Sequence, residues 1–123
     1  MFDWKKPTVQ MLGRWQPWHD GHTELFKRAL QKTRQVCIMY RDVEGVDAGV
    51  EGQVDNPFGF EEVKKNIIVE LSKHNFEEGR DYVVIKVPNI IDISYGRGVG
   101  YSFTEHDLGK EIHAISATNI RKE

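Results

Sequence analysis

Thr8-Val9-Gln10-Met11-Leu12, a loop from Gly13 to His19, a periodic run from Asp20 to Arg34, and Val36-Cys37-Ile38-Met39-Tyr40 together decide the fold. The two apolar runs are short and unbroken, which is how strands buried on both faces read. Between them Leu25, Phe26, Ala29 and Leu30 share one helical face, while Lys27, Arg28 and Lys32 lie elsewhere. Asp20 is the expected N-cap, and Glu24 suits the positive end of the helix dipole. Strand, helix and strand within about 30 residues make a βαβ unit, so the two strands should run parallel.

The rest of the chain extends that unit. Residues 42–57 read as a loop with Asp42, Glu44, Asp47, Glu51 and Asp55 and no Lys or Arg. Pro57 is expected in the first turn of a helix whose Phe60, Val63, Ile67 and Leu71 recur at helical spacing up to about Lys73. Tyr82 to Val87 reads as a third strand and Ile112 to Ile115 as a short fourth. The stretch from Asp92 to Tyr101, with Gly96, Gly98 and Gly100, reads as a second loop. The expected fold is α/β, a single Rossmann-like domain over residues 1–123, with a short parallel sheet flanked by helices in the order 3-2-1-4-5.

Composition narrows the function. The 123 residues carry 17 Lys+Arg against 19 Asp+Glu, a formal net charge of −2, which offers no general footing for nucleic acid. No apolar run approaches the ~18 residues of a membrane span, and the opening Met1-Phe2-Asp3-Trp4 lacks the apolar core of a secretory leader. A cytoplasmic protein is expected. Cys37, the sole cysteine, has no internal disulfide partner and reads as a strand residue.

Two clusters carry chemistry. Gly13-Arg14-Trp15-Gln16-Pro17-Trp18-His19-Asp20-Gly21-His22 joins the first strand to the first helix, at the carboxyl end of the sheet where open α/β sheets bind ligands. Two imidazoles at a helix N-terminus suit an anion, and Gly21 allows a phosphate to approach the backbone. A pair of exposed loop histidines beside a Trp-rich corner fits the same residues. A metal site would need further ligands that the neighbouring sequence does not supply. The second cluster, Ile115-Ser116-Ala117-Thr118-Asn119-Ile120-Arg121, also follows a strand and opens a helix. Ser116, Thr118 and Arg121 offer hydroxyls and a guanidinium for the outer phosphates of a triphosphate, or simply a helix cap and an exposed Arg. Arg14 is a candidate triphosphate contact, and Arg41 and Arg97 are candidates for an acceptor. Arg41 equally suits an ion pair with Asp42 or Glu44, and Arg97 a solvated loop tip. Trp15 and Trp18 offer ring faces for a base, although at least one is expected to be core.

The pairing of His19-Asp20-Gly21-His22 with Ile115-Ser116 through Arg121 resembles the nucleotidyltransferase superfamily with the HIGH-type motif, which includes cytidylyltransferases and adenylyltransferases. Gly13-Arg14-Trp15-Gln16-Pro17, Asn56-Pro57-Phe58 and Val87-Pro88-Asn89-Ile90 are most similar to archaeal-type nicotinamide mononucleotide adenylyltransferases. The resemblance implies transfer of AMP or CMP from ATP or CTP to a small phosphorylated acceptor with release of pyrophosphate, with a slight preference for adenylyl. It implies catalytic roles for His19, His22 and Arg121, and nucleotide binding by Gly13, Arg14, Gly21, Ser116 and Thr118. It implies Mg²⁺ held mainly through the triphosphate rather than by a protein metal site, and it is compatible with a homo-oligomer. One departure is Val63, which follows Glu62 where the family often has an Arg. The alternative is a catalytically reduced nucleotide-binding domain acting as a sensor or partner.

Overall fold

The computed structural model describes residues 1–43, 58–97 and 102–106. Three strands, β1 (Val9–Gly13), β2 (Val36–Arg41) and β3 (Tyr82–Val87), form a parallel sheet in the order β1-β2-β3. Helix α1 (Asp20–Thr33) connects β1 to β2, and α2 (Phe60–Ser72) lies between β2 and β3 in the chain. This is the expected α/β architecture, a parallel sheet flanked by helices. Read from β3 the order is 3-2-1, the first three places of the expected sheet. The fourth strand, at residues 112–115, lies outside the described residues, as does most of the acidic loop, and α2 begins at Phe60 with Gly59 as its N-cap, so the expected placing of Pro57 in the first turn is corrected.

Register explains the core. Val9, Val36 and Tyr82 align across the sheet, and one layer on so do Met11, Ile38 and Val84. Apart from the half-buried Val9, these side chains are buried, and Tyr40 continues their face. Phe26 of α1 meets Tyr82 edge-on at 5.5 Å, and Phe60 of α2 meets Tyr40 at 5.5 Å. Both helices therefore reach the sheet through the same face. Val63, Ile67 and Leu71 are the buried stripe of α2, and a charged Arg at position 63 would have had to displace that packing.

The opposite face is only half-buried, including Cys37, Met39, Val83 and Ile85. The expectation that these apolar runs are buried on both faces is corrected to that extent. Among the described residues both helices dock on the other face, and Cys37 on this one is partly accessible.

The start of α1 differs from the sequence reading. His19, not Asp20, is the N-cap, with extended backbone at φ −134° and ψ 178°. Asp20 is the first helical residue, where its charge favours the dipole. The helix ends at Arg34, whose φ of 66° is the left-handed conformation that closes many helices. Among the described residues, no helix is long and apolar enough to cross a membrane.

Candidate active site

The loop from Gly13 to His19 leaves the carboxyl end of β1 and is fastened at three points. Trp15 takes a left-handed φ of 52°. Its indole lies flat against Gly13, where an added Cβ would stand 2.8 Å from the ring. Its Nε1–H donates to the Met39 carbonyl at 3.1 Å. Gln16 is 1% exposed and pairs with the backbone of Phe58: its Nε2 donates to the Phe58 carbonyl at 2.8 Å, and its Oε1 accepts from the Phe58 N–H at 2.9 Å. The Trp18 indole donates to the Thr23 hydroxyl at 2.8 Å. Both tryptophans are buried, so both belong to the core and neither presents a free ring face to a base.

The fastened loop delivers two histidines in a reciprocal cap. The His19 Nδ1 accepts from the Gly21 N–H at 3.1 Å, and the His22 Nδ1 accepts from the His19 N–H at 3.1 Å. This is a capping box built from imidazoles in place of the usual hydroxyl and carboxylate. An imidazole nitrogen that accepts a hydrogen bond carries no proton, so each neutral ring must hold its proton on Nε2. The rings stack at 3.5 Å between centroids with 22° between planes. Neither Nε2 has a hydrogen-bond partner among the described residues, and neither is a buried unsatisfied atom. The result is two adjacent N–H donors of fixed tautomer.

Electrostatics keep the pair neutral. His22 sits against Trp15 at 4.8 Å and Trp18 at 5.3 Å between ring centroids. Burial pushes its pKa down to about 3, with the neighbouring His19 adding to the shift. Burial also lowers His19, partly opposed by Asp20. The helix amides are already used: the Gly21 N–H goes to the His19 ring, and the His22 and Thr23 N–H groups go to the His19 carbonyl at 2.9 and 3.1 Å. The imidazoles, rather than these three amides, are therefore the outward donors.

Two guanidiniums share this end of the sheet. Gly13 and Tyr40 are register partners, so Arg14 and Arg41 each follow a matched position on neighbouring strands. Arg14 is half-buried. Arg41 donates through Nη1 to the Ile90 carbonyl at 3.4 Å, and its buried Nε has no partner. Of the two expected ion pairs for Arg41, the one with Asp42 is not formed, since Asp42 faces Lys86 at 3.8 Å, and Glu44 lies outside the described residues. Arg97 is exposed on the loop after β3. Ser116, Thr118 and Arg121 lie outside the described residues. Among the described residues no three His, Cys, Asp or Glu side chains gather into a metal site.

Sequence reasoning missed Gln16 and the capping role of His19. The latter had a signal, because His-x-x-His has the N-cap-to-N3 spacing of a capping box. Gln16 had none, since its partner lies 42 residues away.

No family model matches the chain. The curated nicotinamide-nucleotide adenylyltransferase of Methanococcus aeolicus is 32% identical over 121 aligned positions, covering 91% of this chain. The parallel α/β fold agrees with this similarity to a nucleotidyltransferase. The particular relative is an archaeal-type adenylyltransferase, of whose length the chain spans 64%.

Proposed function

We propose that the protein transfers a nucleotidyl group, adenylyl from ATP in preference to cytidylyl from CTP, to a small phosphorylated acceptor. The observation that carries this reading is the imidazole capping box, which aims two neutral Nε2–H donors from a helix N-terminus. Neutral donors fixed before substrate arrives need no reorganisation as negative charge grows on a phosphate oxygen. The preference for adenylyl rests on the named activity of the Methanococcus aeolicus relative.

In the proposed reaction an oxygen of the acceptor phosphate attacks the α-phosphorus. The bond from that phosphorus to the bridging oxygen of the β-phosphate breaks, and pyrophosphate leaves with the electron pair. An acceptor phosphate is already ionised, so no general base is required. His19 and His22 stabilise the charge at the α-phosphate. Arg14 contacts the triphosphate; the space a Cβ would fill at Gly13 is taken by the Trp15 ring, and the Gly21 N–H is taken by the His19 ring. Ser116, Thr118 and Arg121 hold the β- and γ-phosphates. Arg41, with its unpartnered Nε, is the first candidate cation for the acceptor, and Arg97 the second. Mg²⁺ would be carried on triphosphate oxygens, where it neutralises charge. The Nε2–H tautomers suit that division of labour, because they are donors and not metal ligands.

The test is pyrophosphate release with Mg²⁺, ATP or CTP, and a panel of phosphorylated acceptors that includes nicotinamide mononucleotide. ATP-dependent release with one acceptor is the expected result. Nucleotide binding without release on any acceptor would overturn the enzymatic reading in favour of a sensor or partner domain.

A further inference from the structure

We infer that Gln16 is a positioning residue that sets the two histidines by locking their loop to the peptide of Phe58. For its consequence on nucleotide binding the inference rests on the reading just given, but the positioning itself does not depend on it.

A carboxamide presents the same donor and acceptor as a peptide, so Gln16 pairs with Phe58 much as one strand pairs with another. Two bonds, at 2.8 and 2.9 Å, go from one planar group to one residue. That arrangement fixes the orientation of the side chain as well as its position. The Tyr40 hydroxyl also donates to the Phe58 carbonyl, at 3.2 Å. Three pieces of chain thus meet at one peptide: the histidine loop, the end of β2, and the lead into α2, whose N-cap is Gly59.

Gln16 stands three residues before His19, between two tryptophans that are themselves fastened. The reciprocal bonds of the capping box need the His19 backbone at one position relative to α1. Releasing Gln16 frees the loop between Trp15 and Trp18 and unlinks it from α2. The helix remains, but the cap that fixes both tautomers loosens. Few side chains can substitute. Ionised Glu offers two acceptors and would set one against the Phe58 carbonyl, Met offers no amide, and Asn is one methylene too short.

The experiment uses the full chain, ¹⁵N-labelled, as wild type, Gln16→Met, Gln16→Glu and Tyr40→Phe. Three quantities are read: amide exchange at Phe58, the ring-nitrogen signals of His19 and His22, and affinity for Mg–ATP by calorimetry. Both Gln16 variants should speed Phe58 exchange and move the ring signals from the pure Nε2–H tautomer toward a tautomer mixture. Mg–ATP affinity should fall about tenfold, the scale of one net hydrogen bond. Tyr40→Phe removes one of two donors to the same carbonyl and should give a smaller change in the same direction.

A folded Gln16 variant with faster Phe58 exchange but unchanged ring signals would overturn the inference and leave Gln16 a structural staple. If the Gln16 variants do not fold, the same result in Tyr40→Phe overturns it. Wild-type protein that binds no nucleotide would remove the proposed function, while the ring signals would still decide the role of Gln16.

Discussion

Among the described residues two glutamines are buried, and they stand at opposite ends of the parallel sheet. Gln35 precedes β2 at the amino end. Its Oε1 accepts from the Asp3 N–H at 3.1 Å, and its Nε2 reaches the Asp3 carbonyl at 2.8 Å, the Lys6 carbonyl at 3.3 Å and the Thr8 hydroxyl at 2.6 Å. Together with the bond from the Phe2 N–H to the Gly79 carbonyl at 2.8 Å, it fastens the N-terminal segment. Gln16, at the carboxyl end, uses the same amide chemistry on Phe58. The staple is similar; what it holds is different. At the amino end the chain enters the sheet. At the carboxyl end the chain leaves β1 for a helix N-terminus, and the stapled loop carries outward-facing donors. Position in the topology, rather than the kind of bond, separates a stability device from one that bears on chemistry.

The largest expected effect tests the carboxyl end directly. In His22→Asn the Oδ1 can take the place of Nδ1 as acceptor for the His19 N–H, so the cap survives while the Nε2–H donor is lost. Turnover should fall by on the order of 10²–10³, the scale of removing one preorganised donor. Stability should fall by only about 1 kcal/mol, from lost ring contact with the two tryptophans. A folded variant with near wild-type turnover would remove His22 from the chemistry.

The amino end should behave in the opposite way. Gln35→Leu leaves the Asp3 N–H without its acceptor and takes one of two donors from each of the Asp3 and Lys6 carbonyls. A cost of about 1–3 kcal/mol is expected, read as a lower Tm. Mg–ATP affinity should not change beyond what the unfolded fraction explains. A specific loss of affinity in the folded protein would erase the distinction between the two ends.

Much of the fold is legible in the sequence. Tyr82 to Val87 was read at its exact limits, and the helical faces of Phe26 and Ala29 and of Val63, Ile67 and Leu71 follow from periodicity. These are local signals, carried by spacing within one element. The His19 cap was misread because propensity favours Asp at that position, while the deciding fact is a reciprocal contact between two rings. The burial of Gln16 and Gln35 was not legible at all. A buried amide is defined by its partners, and those lie 42 and about 30 residues away in sequence. The half-buried second sheet face is not legible for a related reason: unbroken apolar runs do not say on which side α1 and α2 dock.

The smallest effect, and the one that sharpens the comparison most, is the acid limb of stability. His22 has a folded pKa pushed down to about 3, below its unfolded value of 6.5. Between these values the unfolded chain binds more protons than the folded one, so stability rises with pH. The contribution is complete above pH 6.5 and is lost as pH falls toward 3. From pH 7 to pH 5 the linkage amounts to about 2 kcal/mol at most. His19, also lowered by burial, acts in the same direction. Urea unfolding of the wild type should therefore show a falling midpoint over this range, and His22→Asn should flatten it. Gln35→Leu, which touches neither ring, should shift the whole curve down and keep its slope. An unchanged slope in His22→Asn would mean that His22 is protonated at ordinary acidity in the folded protein. Below about pH 6.5 the pair would then meet a phosphate as a cation and a donor, and the case for two neutral donors would fail there.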